Sequence, residues 1–445
     1  RTVATAAVLA ASEQGPVEIY GIDFGSGGLR MLDSLPEVGA IVGDDDELLG
    51  RLMRRLTGLV DSRSEDYSRV NASSIVDYRS IARRPDEPRI LLLVDGIGAF
   101  REAYESSPVS PWFAMLNQMA TDGRAVGVHL IVSADRPNAV PTSLGSTIQR
   151  RLVLRMASED DYLLLGAPKD VLDRVSPPGR GIVDDREVQI SVLGGDPNVE
   201  TQFRVLTELA DASRAAGVHR AAAVERLSDD VASSSLPNEV GGRPSIGIGY
   251  ADLAPVGFDP RGLLMVAGPP FSGRSTALVT LAQSVVRAES EVRTFYLSPR
   301  ASGTESEDVW DSVAIGLEAV STLLLEIIER GESPDAPRMV VVVESLSEFT
   351  DSVVQPDLER MIKCVDAADG LVVGESEIST WQGAYALGGP FRSGRRGLLL
   401  CPSDIDGESL LSTPLGSRQR GAQPPGRGFL IAQGKAVKLQ LARPN

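Results

Sequence analysis

One block of sequence occurs twice in this chain, and that repetition restricts the fold more than any other feature. Arg89-Ile-Leu-Leu-Leu-Val-Asp95 reads like Arg338-Met-Val-Val-Val-Val-Glu344, and Pro177-Pro-Gly-Arg-Gly181 returns as Pro424-Pro-Gly-Arg-Gly428. The offset from Asp95 to Glu344 is 249 residues and from Pro177 to Pro424 it is 247. Two landmarks at nearly one offset imply two copies of one domain in tandem. The length of 445 residues agrees, since a single core rarely organises so long a chain.

Within each copy, short apolar runs alternate with helical patterns. Val17 to Asp23, Ile90 to Val94 and Val128 to Val132 read as buried strands of the first copy. Leu263 to Ala267, Thr294 to Leu297, Met339 to Val343 and Gly370 to Val373 read the same way in the second. Continuous β-branched runs bounded by Gly, Pro or Asp suit central parallel strands, and their alternation with helices predicts an α/β doubly wound sheet. The acidic run Asp44 to Glu47 is placed to start a helix over Leu48 to Val60, where the dipole favours negative charge. Ser228 to Arg243 is rich in Ser, Asp, Gly and Pro without periodicity. The expected division is therefore a domain over 1–227, a linker over 228–243 and a second domain over 244–445. Ile246-Gly-Ile-Gly249 is expected to form an edge strand of the second.

The strongest motif is Gly268-Pro269-Pro270-Phe271-Ser272-Gly273-Arg274-Ser275-Thr276. It follows the strand Leu263 to Ala267 and opens a helix over Ala277 to Arg287. That is the setting of a P-loop, a glycine-rich turn whose backbone N–H groups surround phosphates at a helix N-terminus. The expected ligands are ATP and, through the Ser275 hydroxyl, Mg²⁺. Arg274 stands where the pattern has Lys, and its planar, bulkier head is not an equivalent phosphate ligand. The competing reading is an ordinary strand-to-helix turn. Asp95 and Glu344 each end an apolar strand, the Walker B position, where an acid holds the Mg²⁺ shell and a following Glu polarises the attacking water. Here the following residues are Gly96 and Ser345, and neither is a general base. A carboxylate that merely caps a strand end is the alternative. Arg136 is a candidate γ-phosphate sensor or arginine finger, with a surface ion pair as the alternative.

The first copy shows no P-loop. Setting Val17 to Asp23 against Val292 to Ser298 places Ser275 just before Arg1. Arg1 to Ser12 then reads as the helix that follows a P-loop, and the expectation is a chain cut inside an NTPase domain. A freestanding N-terminal helix is the alternative.

Composition removes other classes. Net charge is −17, a poor match to a phosphate backbone, whose affinity comes mostly from Lys and Arg. The 42% hydrophobic content excludes wholesale disorder. No apolar run approaches the ~18 residues that span a bilayer. Cys364 and Cys401 support neither a disulfide framework nor a thiolate zinc site, and they fit a reducing cytosol. His129 and His219 lack metal-ligand spacing.

A resemblance runs along nearly the whole chain. It is carried by Tyr20-Gly-Ile-Asp-Phe-Gly-Ser-Gly-Gly-Leu29, Leu35-Pro-Glu-Val-Gly39, Asp77-Tyr78-Arg79, Leu93-Val-Asp95-Gly96, Gly127-Val-His-Leu130 and Asp135-Arg136. In the second copy it is carried by Asp252-Leu-Ala-Pro-Val-Gly257, the segment Gly268 to Thr276 and Pro425-Gly-Arg-Gly428. In this order the motifs resemble the second and third ATPase domains of the EccC family, the FtsK/SpoIIIE-type ATPases of type VII (ESX) secretion. The resemblance implies two tandem RecA-like P-loop NTPase domains, each a mostly parallel sheet flanked by helices. It implies a hexameric working state, an upstream ATPase domain, other secretion core components as partners, and WXG-type secreted substrates whose tails dock on the motor. It places the chain in the cytoplasm, at the inner face of the plasma membrane, through parts not in this chain. The expected role is regulatory and substrate-receiving, with ATP bound and slowly hydrolysed. Apolar surface near Trp381 to Leu387 is the expected docking place. A DNA translocase of the FtsK type and a nucleotide-free interaction scaffold are the alternative readings.

Overall fold

The computed structural model describes every residue except 1, 14, 108–110, 149, 174, 290, 334–336, 416–422 and 445. The chain divides into two compact units, Arg1–Arg226 and Leu227–Asn445. In the first unit β1 (Val17–Asp23), β2 (Val38–Val42), β3 (Arg89–Asp95) and β4 (Val128–Val132) form a parallel sheet in the order β2-β1-β3-β4. The apolar run of β3 hides a period of two. Ile90, Leu92 and Val94 pack on one face with Leu49, Leu52 and Leu56, while Leu91 and Leu93 pack on the other with Val8, Leu29 and Leu206. Both faces are covered, so each position must be apolar. The acidic run does start a helix, Asp46–Arg69, whose N-cap Asp45 accepts from the N–H groups of Glu47 and Leu48.

A second, small antiparallel sheet in this unit joins β5 (Val153–Leu154), β6 (Arg180–Val183) and β7 (Arg186–Gln189). The repeated Pro-Pro-Gly-Arg-Gly segment enters β6 here.

The second unit is built on one large sheet. Its parallel part comprises β11 (Gly262–Gly268), β12 (Arg293–Ser298), β13 (Ser312–Ile315), β14 (Met339–Val343), β15 (Leu371–Glu377) and β16 (Arg396–Leu400). Antiparallel strands extend it: β8 (Glu239–Val240), β9 (Arg243–Gly249), β10 (Pro255–Gly257), β17 (Arg427–Ala432) and β18 (Lys435–Leu441). Its order is β10-β9-β18-β17-β16-β11-β15-β14-β12-β13, with β8 paired to β9. The segment β13-β12-β14-β15 repeats the first unit's β2-β1-β3-β4 order. Beyond β15 comes β11, the strand that carries the P-loop motif. Among the described residues of the first unit, no strand pairs with β4 on that side. The helix Thr2–Ser12 packs on the Leu91 and Leu93 face. The equivalent face of the second unit, around Val340 and Val342, is covered by the helix Arg274–Ala288.

Two expectations are corrected. The stretch 228–243 is not a free linker but part of the second unit's edge. Val231 and Leu236 are buried with Ala442, the Arg443 N–H donates to Val231 O at 2.7 Å, and Ala232 bridges Arg443. Its polar composition reflects turns and a two-residue strand, which need no apolar periodicity. Ile246 to Gly249 lies in β9, which is an inner strand between β10 and β18. Glycine permits this pairing: a Cβ on Gly247 would sit 2.2 Å from Gln440 O. Among the described residues, no helix is long and apolar enough to cross a membrane.

Candidate nucleotide site

The P-loop motif lies between the end of β11 and the helix that starts at Arg274. Gly273 is left-handed at φ +93° and N-caps that helix. A Cβ there would meet Gly426 N at 3.2 Å, and Gly426 N–H donates to Ser272 O at 2.8 Å. The second Pro-Pro-Gly-Arg-Gly segment therefore braces the P-loop. Arg427, just beyond, is buried and held by Gln440 and Asp229, each at 2.8 Å.

The helix's first turn leaves the amides of Arg274, Ser275 and Thr276 ahead of its first i to i−4 bond, from Ala277 N–H to Gly273 O. The Ser272 hydroxyl is buried without a hydrogen-bond partner, and a Cβ on Gly268 would lie 2.3 Å from it. Those unspent donors fit a phosphate ligand. Pro269 and Pro270 form the turn, and Phe271 stands at its tip, left-handed at φ +64° and 97% exposed.

The charged groups of the motif are already engaged. Arg274 Nη1 donates to Glu375 Oε1 at 2.5 Å, and Glu375 is buried near the end of β15. Glu375 Oε2 accepts from Ser345 N–H at 2.9 Å. Burial pushes the Glu375 carboxyl above its ordinary range, against the pull of the Ser345 amide and the Arg274 guanidinium. Ser275 Oγ donates to Glu344 Oε1 at 2.6 Å. Glu344 is itself buried, and its other oxygen accepts from the hydroxyls of Tyr296 and of Ser302, the latter at 2.6 Å. Burial, then the hydrogen bond to Glu344, pushes the Tyr296 phenol well up. The two groups that would flank a Mg²⁺ ion, Ser275 and Glu344, thus touch each other directly.

In the first unit Asp95 accepts from the Ser133 hydroxyl, and Gly96 N–H donates to Ser133 Oγ at 3.0 Å. Asp23, ending β1, gathers the amides of Gly25, Gly27 and Leu29 at 3.2, 3.3 and 3.0 Å. That loop comes so near that a Cβ on Gly25 would sit 2.3 Å from Asp95 Oδ2. Arg136 lies on an exposed stretch and pairs with neighbouring Asp135 at 3.9 Å, the geometry of a surface ion pair. Glu375 escapes a reading of the sequence that ends the strand at Val373. A Glu within two residues of a buried apolar run is the available signal.

Residues 4–191 match the family model described as FtsK/SpoIIIE family. That match lies within the first unit, which therefore carries an FtsK/SpoIIIE family-model domain. Relatives of the chain are ESX secretion proteins. The ESX-4 secretion system protein EccC4 of Mycobacterium tuberculosis is 27% identical over 64% of this chain and 23% of its own length. The ESX secretion system protein YukB of Bacillus subtilis is 20% identical over 96% of this chain and 30% of its own. The chain thus spans less than a third of either. Among solved structures, ATPases 2 and 3 of EssC from Geobacillus thermodenitrificans superpose with a TM-score of 0.75 at 18% identity, covering 97% of this chain and 86% of theirs. ATPases 2 and 3 of Thermomonospora curvata EccC, in complex with a signal sequence peptide, superpose at 0.71 and 21% identity, covering 96% and 82%. The fold is that of tandem P-loop ATPase domains.

Proposed function

We propose that this chain is the regulatory and substrate-receiving pair of ATPase domains of a type VII protein-secretion motor. It works with an upstream ATPase domain and other secretion components in a hexamer at the inner face of the plasma membrane. The second unit holds ATP as a ligand rather than a fuel. The observation that carries this reading is the engaged P-loop. Its backbone cradle and the Ser272 hydroxyl stand ready for phosphate, while Arg274 is tied to Glu375 and Ser275 to Glu344. Ser275 and Glu344 would hold Mg²⁺ if it bound with ATP, and the ion would supply positive charge against the phosphates. Ser345 and Gly96 offer no base to polarise water, so the chain's own residues bind and orient without activating a nucleophile. Support for cargo reception comes from the like-folded EccC domains in complex with a signal sequence peptide.

The expected docking place at Trp381 to Leu387 has its two end residues in the core, not on the surface. The Trp381 indole donates to Val266 O at 3.2 Å. Apolar periodicity alone does not distinguish a buried helix face from a docking face. A scaffold reading gains from the same engaged pairs, because they satisfy Arg274 and Ser275 without ligand. The DNA-translocase reading is opposed by the net charge of −17. The test is a thermal-shift titration with ATP on wild type and Thr276→Ala, alongside a pull-down with the C-terminal tail of a WXG-type substrate. Stabilisation of wild type by millimolar ATP and capture by the tail are expected. Absence of both would leave the scaffold reading.

A further inference from the structure

The two units differ at one position beside the strand-end acid. In the first, Gly96 N–H donates to the Ser133 hydroxyl. In the second, the equivalent amide of Ser345 donates to Glu375 Oε2. Ser133 follows β4 and Glu375 lies in β15, each next to the strand that leads into the acid, β3 or β14. One unit places a neutral hydroxyl there and the other a carboxylate that is 2% exposed. The carboxylate holds the cation of the P-loop, Arg274, at 2.5 Å. A P-loop cation at this position reaches for the β- and γ-phosphates. Glu375 therefore already supplies Arg274 with the kind of anionic partner that a terminal phosphate would be.

We propose that Glu375 is a specificity-determining residue that makes the second unit's P-loop favour a nucleoside diphosphate over the corresponding triphosphate. This rests on the reading that the unit binds nucleotide. A diphosphate can be held by parts of the loop that Glu375 does not touch. These are the amides at the helix start and the unpartnered Ser272 hydroxyl, which need no help from Arg274. The third phosphate brings added negative charge towards Arg274 and must compete with a carboxylate for it. Like charges a few ångströms apart in a buried site repel strongly, because little solvent screens them. Glu344 adds a second buried carboxylate on the neighbouring strand end. Exchange of Arg274 to the γ-phosphate would leave Glu375 held by the Ser345 amide without its cation, an uncompensated buried charge. The Arg at the lysine position and the carboxylate opposite thus form one device.

The experiment is calorimetric titration of the whole chain with Mg·ADP and Mg·ATP, for wild type, Glu375→Gln and Glu375→Ser. The Gln variant keeps the shape without the charge, and the Ser variant installs the residue type of the first unit. Any binding by the first unit is common to all three. Wild type is expected to bind ADP more tightly than ATP. Both variants are expected to shift the ratio towards ATP by about tenfold or more, with a smaller change in ADP affinity. Binding with an unchanged ratio in either folded variant would overturn the proposal while leaving nucleotide binding intact. A common loss of both ligands would overturn it too, by showing a merely structural role. Absence of nucleotide binding in all three proteins would overturn both the proposal and the reading beneath it.

Discussion

Replacing Tyr296 by Phe removes one hydroxyl from the second unit and nothing else. Tyr296 is fully buried in β12, and its hydroxyl donates to Glu344 Oε2 while meeting Ser302 Oγ at 3.1 Å. Phe keeps the ring volume, so no cavity term arises. What is lost is a hydrogen bond to a buried carboxylate, worth about 1.5–3 kcal/mol. Glu344 retains Ser275 and Ser302, which places the cost near the lower half of that range, about 2 kcal/mol. For a unit of this size, 1 kcal/mol moves the midpoint by about 2–4 °C, so the second unit should melt about 4–8 °C lower. Tryptophan fluorescence reports it, because Trp310 packs against Tyr296 with ring centroids 5.2 Å apart. Urea unfolding followed at Trp310 should show a lower midpoint at unchanged slope. A change below about 0.5 kcal/mol would refute the argument, because that is the range of surface substitutions away from any such contact.

Further outcomes follow from the same geometry. Gly273→Ala forces a side chain into a left-handed conformation 3.2 Å from Gly426 N and should cost about 1–3 kcal/mol, with loss of ATP-dependent thermal stabilisation. Trp381→Ala should cost about 3–5 kcal/mol in urea unfolding, as expected of a core residue and not of a docking surface. Arg136→Ala should stay within about 0.5 kcal/mol of wild type, since its partner is an exposed neighbour. The raised Glu375 carboxyl carries a sign. Its folded form holds the proton more tightly than the unfolded chain, so its contribution is full below the unfolded value of about 4.3 and is lost as pH rises through the folded value. Wild type should therefore lose stability relative to Glu375→Gln as pH rises from about 4.3 towards neutrality, read by denaturant midpoints at several pH values.

The large features of the fold were legible because they follow from periodicity. Met339 to Val343 must be apolar throughout, since its alternate residues face two different cores. The P-loop was legible from spacing and from the strand before it. What escaped was long-range pairing. Nothing local to Leu371–Glu377 announces that Glu375 meets Arg274, because the contact depends on β15 lying beside β11, a neighbour far away in sequence. The bracing role of Pro425 and Gly426 was hidden for the same reason, although the repeat itself was visible. The repeat also concealed a difference, since its hairpin joins the main sheet in the second unit and a separate small sheet in the first. The stretch 228–243 was misread because short edge strands carry no pattern long enough to count.

The central claim is that the second unit holds nucleotide without consuming it. Steady-state phosphate release by the purified chain, with ATP, Mg²⁺ and with or without a WXG-type substrate tail, tests it most directly. Turnover well below the ~1 s⁻¹ low end typical of enzymes is expected. Brisk turnover by this chain alone, abolished by Glu344→Ala, would contradict it.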